Sequence, residues 1–111
     1  MMRKHIIDMM AGEHIILVFH SWHEIKRSLC CPELPEHIKV NLSQQRWDDP
    51  ASGGWVKFMS ARSDWYRLEG ILADIRFVDG SARYASQQFY EVARERSSRY
   101  AAQRKCKPSN K

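Results

Sequence analysis

Five cations near the C-terminal end of the chain, Arg94, Arg96, Arg99, Arg104 and Lys105, are interleaved with Tyr90 and Tyr100. An arginine fork grips phosphate oxygens with paired hydrogen bonds, and a tyrosine ring stacks on a base or donates to a phosphate. Arg94, Arg96, Arg99, Tyr100, Arg104 and Lys105 therefore have the composition of a nucleic-acid-binding surface. A solvated helix end would use the same residues differently: Glu91 and Glu95 would pair with arginines three to four places on, and the cations would complement the helix dipole. The distribution of charge argues for a partner. From Arg83 to Lys111 the chain carries a net +6 and everything before it −1, so the overall +5 belongs to the last quarter of the sequence.

A second group comprises His20, His23, Cys30 and Cys31, with His14 and His37 nearby. Imidazole and thiolate are good zinc ligands. Their spacing matches no finger pattern, however, and all four come from one segment rather than from two. A cysteine in apolar surroundings reads as a small buried hydrophobe. Cys30 or Cys31 with His23 or His37 has the makings of a nucleophile–base pair, but a thiolate at a helix C-terminus meets the wrong end of the dipole. Asp48 and Asp49, with Asp64 downstream, offer carboxylates of the kind a hard cation takes. Asp-Asp-Pro reads first as a turn in which Asp bonds its own backbone. No metal, no cofactor and no catalytic residue is expected, and the chain reads as a non-enzyme. Trp47, Trp55, Trp65 and Tyr66 flank the same loop. Trp55 and Trp65 fall on core stripes, and Trp47 is expected to be partly exposed.

These side chains need elements to hold them. His5 to Met10 reads as a short strand, Ala11-Gly12-Glu13 as a turn, and His14 to Phe19 as a second strand that is apolar on both faces, as a central strand is. Ser21 and Glu24 form a capping box at the head of a short helix with a Trp22, Ile25, Leu29 stripe, ended by Pro32 and Pro35. Ile38 to Leu42 alternates like a half-buried strand. Asp48 to Gly54 is a loop, and Trp55 to Met59 is another alternating strand. Residues 63–85 are ambiguous. The preferred reading is a helix from Ser63 to about Ala73, then a hairpin around Asp79-Gly80 with Arg83 to Ala85 returning.

From Ser86 to Lys105 strong helix formers predict a long C-terminal helix stopped by Pro108. Its core stripe of Ala85, Phe89, Val92 and Ala93 gives way to Arg96, Arg99 and Gln103, so the helix is expected to project beyond Ala93.

The expected fold is α+β: a small antiparallel sheet of about four strands, one short capped helix and one long C-terminal helix. At 111 residues, with 43% hydrophobic content, the chain fits a single domain over residues 1–105, with a frayed basic tail over 106–111. Its longest clean apolar run, Ile15 to Phe19, is too short for a signal sequence or a membrane span. Three cysteines, two of them adjacent, make no disulfide framework. These points predict a cytoplasmic protein with no membrane partner. The functional expectation is binding of nucleic acid or a nucleoprotein complex through the C-terminal helix. The alternative is a protein-interaction module (an inhibitor, an antitoxin-like protein or an assembly partner) docking on an acidic protein surface.

Overall fold

The structure is a computed structural model that describes residues 2–106, with side chains as far as Arg104. Three α-helices, α1 (Arg3–Met10), α2 (Trp22–Leu29) and α3 (Gln87–Cys106), pack on a five-stranded sheet made of β1 (His14–Phe19), β2 (Lys39–Asn41), β3 (Arg46–Asp48), β4 (Trp55–Ser60) and β5 (Asp74–Phe77). Among the described residues no helix is long and apolar enough to cross a membrane. The α+β class, the long C-terminal helix and the capped α2 agree with the sequence. Ser21 Oγ accepts the Glu24 N–H at 3.4 Å, closing the first turn of α2.

The sheet departs from expectation. It has five strands in the order β2-β3-β4-β1-β5, and β1 runs parallel to both β4 and β5; only β2–β3 and β3–β4 are antiparallel. The expected opening hairpin does not exist, because His5 to Met10 is helical. Six residues containing Ile6-Ile7 fit either period. What decides is that a helix places Ile6 and Met9 together on the core while Ile7 and Met10 face out. β1 is then free to take a parallel neighbour on each side. A central parallel strand is buried on both faces, and Ile15 to Phe19 is buried throughout.

Residues 63–73 are not the expected helix. A 3₁₀ turn over Trp65–Leu68 is all that forms, and Gly70 follows at φ 75°, in the left-handed region that ends any helix. Ser81–Tyr84 is a second 3₁₀ turn, so no strand returns after Asp79-Gly80.

Two cores result, one on each face of the sheet. α1 and α2 cover Ile15, Leu17, Phe19, Trp47, Val56 and Phe58. α3 and the first 3₁₀ turn cover Ile16, Val18, Met59 and Ile75 with Phe89, Ala93 and Leu68. Trp47, expected to be partly exposed, is fully buried: its indole N–H donates to Leu29 O at 3.2 Å and its ring meets Phe58 edge-on at 4.8 Å. The exposed tryptophan is Trp22, at 49%.

α3 does not leave the body after Ala93. Ser97 Oγ accepts the Ile75 N–H at 2.9 Å and reaches Ile75 O at 3.4 Å, so the helix closes the outer edge of β5. Tyr100 is buried, and its hydroxyl donates to Glu13 Oε1 at 2.8 Å while accepting the His14 N–H at 3.0 Å. The apolar stripe fades there, but these polar groups continue the attachment. Lys105's side chain and residues 107–111, and with them most of the expected tail, lie outside the described residues.

Candidate nucleic-acid interface

Strand alternation and pairing register place one set of side chains side by side. On the α3 face of the sheet, His14, Trp55, Asp48 and Lys39 form one cross-strand row, and Lys57, Arg46 and Asn41 form the next. α3 lies over β5 and β1 and the first 3₁₀ turn packs at the Met59 end of β4, so the rest of this half of the face, over the start of β4, β3 and β2, carries no helix. It is about 10 Å wide between the outer strand axes. Its residues are only partly buried, whereas their strand neighbours Trp47, Val56 and Phe58 are fully enclosed on the other face.

The first row is built around one stacked pair. The His14 ring lies on Trp55 at 5.0 Å and 14°, and the Arg46 guanidinium sits 4.8 Å from the Trp55 ring centre. Tyr100 comes within 6.2 Å of His14, and Arg104 within 5.9 Å of the Tyr100 ring. Arg46 is also held by Asp48, with Nε 3.0 Å from Oδ2. The row thus runs from the end of α3, across β1 and β4, to β3.

Beside it, cations accumulate faster than anions. Burial pushes the Lys57 ammonium below the usual lysine range, and the positive charges of Arg46 and Arg67 push it further the same way. Asp48 answers Arg46. Among the described residues no carboxylate lies within ion-pair distance of Lys57 or Arg67. An anion placed here would relieve the repulsion.

At the His14 end the face opens into a groove of about 840 Å³ lined by Gly12, His14, Gly53, Leu72, Tyr100 and Gln103, among others. A polar knot fixes its floor. Ser52 Oγ donates to Asp49 Oδ2 at 2.8 Å, lies 3.0 Å from Met9 O and accepts the Gly54 N–H, and Trp55 N–H bonds Glu13 O. Gly54 is obligatory here, since a Cβ would fall 1.9 Å from Met9 O. The buried Asp49 carboxyl is held below its usual range, chiefly by the Ser52 hydroxyl, then by the Ala51 N–H and His37. Arg104 closes one wall, 2.6 Å from Glu13 Oε2. Burial pushes the Tyr100 hydroxyl up, and its bond to Glu13 adds to that.

The expected cations of α3 are scattered. Arg94 is exposed beside Tyr90, with its guanidinium 5.9 Å from the ring. Arg96 lies largely against the body, its Nε buried without a hydrogen-bond partner and 3.7 Å from Glu95. Arg99 pairs with Glu95 one turn back. At 100° per residue, Arg94 and Arg99 point 140° apart. Of the six expected site residues, Tyr100 and Arg104 reach the groove. The sequence reading missed Arg46, Lys57, Arg67 and His14 as site residues; Trp55, read as core, does pack against the α3-side core, and its ring also carries His14 and Arg46. The signal for Lys57 was present: a cation between Val56 and Phe58 on a strand must sit on the opposite face from the core.

The other constellations do not assemble. His20 stacks on Tyr84 at 4.0 Å, His23 and Cys30 are exposed on and just after α2, and Cys31 is half-buried. Asp48, Asp49 and Asp64 each serve a separate partner: Arg46, Ser52 and Tyr66. Among the described residues no three His, Cys, Asp or Glu side chains converge as metal ligands would. Compared with known proteins, the chain matches no family model, no curated protein and no solved structure.

Proposed function

We propose that this protein binds nucleic acid, and that it does so on the open half of the sheet together with the end of α3. The observation that carries the reading is the group of Lys57, Arg46 and Arg67, answered among the described residues by Asp48 on Arg46 alone, set beside the His14–Trp55 stack and leading into the groove walled by Arg104. Phosphates would replace the missing counter-charge, and the planar groups would line the path of the chain. Arg104 and Tyr100 remain in the site. Arg94 and Arg99 become outlying contacts on either side of α3, and Lys105 follows Arg104 in sequence.

A titration with labelled oligonucleotides over a salt series tests this. Binding should weaken as salt rises, with a log–log slope that falls by about one unit when Lys57 is replaced by Gln. Absence of binding at low salt, or a slope that Lys57→Gln leaves unchanged, would overturn the reading.

Exposed Trp22 favours a second reading, in which an acidic protein surface takes the cations and Trp22 anchors the contact. Polyglutamate of matched charge separates the two. Competition as effective as that of an oligonucleotide supports the protein reading, and much weaker competition supports nucleic acid.

A further inference from the structure

We infer that the bound strand is single, with one unpaired base seated in the groove. This rests on the nucleic-acid reading above and adds strandedness to it. The groove's volume of about 840 Å³ lies within the range of small-ligand pockets. A base held in a duplex reaches such a recess only after being unpaired, unstacked and flipped out, whereas a single strand presents bases that need no unpairing.

The lining suits an unpaired base. Leu72 supplies an apolar wall, and the His14 and Tyr100 rings supply planar ones. Gln103 is exposed at the rim and offers both an amide donor and a carbonyl acceptor to a base edge. The floor stays open at Gly53, where an added Cβ would meet nothing within 4 Å. From His14 the stack leads over Trp55 to Arg46 and Lys57, so a strand with one base in the groove would carry its phosphates across the cations.

The same geometry disfavours a duplex. Reading a major groove takes a helix or ribbon that protrudes. α3 instead lies against the body, fastened through Ser97, Tyr100 and Arg104. The open face is only three strands wide and has no α-helix on it.

Fluorescence anisotropy of the full chain tests the inference. The probes are a labelled strand of about a dozen nucleotides, as DNA and as RNA, and the blunt duplex of the same sequence at matched salt. The single strand should bind about tenfold more tightly than the duplex, a ratio that corresponds to one seated base. His14→Ala and Gln103→Ala should each shrink that preference while leaving the salt slope intact. Thermal melts check that the variants fold. If His14→Ala melts early, Gln103→Ala decides, because its side chain is exposed. Equal or tighter duplex binding, or a preference that survives the folded variants, would overturn the inference while leaving the nucleic-acid reading standing. Failure of every probe to bind would overturn both.

Discussion

The two faces of β3 and β4 have the same backbone and opposite fates. Trp47, Val56 and Phe58 point toward α1 and α2 and are fully enclosed, while their immediate neighbours Arg46, Asp48, Trp55 and Lys57 lie on the opposite face and are only partly buried. The cause is the placement of α3, which shields only β5 and β1 on its side. A helix laid one strand further over would have demanded apolar residues in place of Arg46 and Lys57, since burying an unpaired cation is costly. One face is therefore constrained by packing. Over β2, β3 and the start of β4 the other is less constrained, with Trp55 alone packing against the α3-side core there, and in that stretch the chain places a cation cluster that weakens its own charge.

Substitutions can break or sharpen this contrast, beginning with the largest effect. Trp47→Ala should cost about 3–5 kcal/mol in urea unfolding, the range for truncating a buried aromatic, and it also removes a buried hydrogen bond. Trp55→Ala should cost less than half as much and be felt in binding instead. Equal losses at the two positions would dissolve the distinction between the faces.

Lys57→Gln should weaken oligonucleotide binding about tenfold and leave the melting temperature unchanged or higher, because the lysine it removes is unfavourably placed. The pH dependence has a definite sign. With its folded value below the ordinary 10.4 or so, Lys57 loses its proton in the folded state first. Stability from this group should rise with pH between the folded value and about 10.4, a rise that Lys57→Gln abolishes in melts across that window.

Tyr100→Phe deletes a donor to Glu13 and leaves the His14 N–H without its acceptor. The expected loss is about 1–2 kcal/mol, measured by denaturant midpoint. No loss would mean that the end of α3 is held by something other than this hydroxyl. The smallest effect at neutral pH should be on the acid limb. The Asp49 carboxyl is held below its unfolded value of about 3.9, so its contribution is present above that pH and disappears as pH falls through the folded value. Asp49→Asn should flatten that acid transition, and an unaltered transition would place its cause elsewhere.

The sequence made some of this legible because local rules and tertiary packing agreed. Ser21 capped α2 by accepting the Glu24 N–H, without the return bond from the Glu24 side chain, β1 was apolar on both faces because it is central, and Asp49 bonded its own turn. Elsewhere a tertiary choice overrode the local one. His5 to Met10 fits two periods, and only the position of the core made it helical. The Trp65, Leu68 stripe was right about burial and wrong about the helix, because the left-handed Gly70 breaks the chain there. Parallel pairing was hidden, since once His5 to Met10 read as a strand a hairpin seemed to suffice. The cation cluster was hidden for a different reason. Arg46, Lys57 and Arg67 are spread over a segment whose acids balance them in any running sum of charge, and they converge only when β3, β4 and the 3₁₀ turn come together. The run of arginines on α3 stood out in the sequence, yet the helix turns Arg94 and Arg99 to different sides.

Ser97 has one more consequence. By occupying the N–H and C=O of Ile75 it removes the middle outward-facing pair from the short β5 edge, so among the described residues β2, at the opposite margin, is the freer template for another strand. A copy of the chain added there, β2 against β2, would fill that margin on both chains and leave outermost the two β5 edges that Ser97 interrupts. A single side chain on α3 would thus disfavour growth of the pair into a fibre.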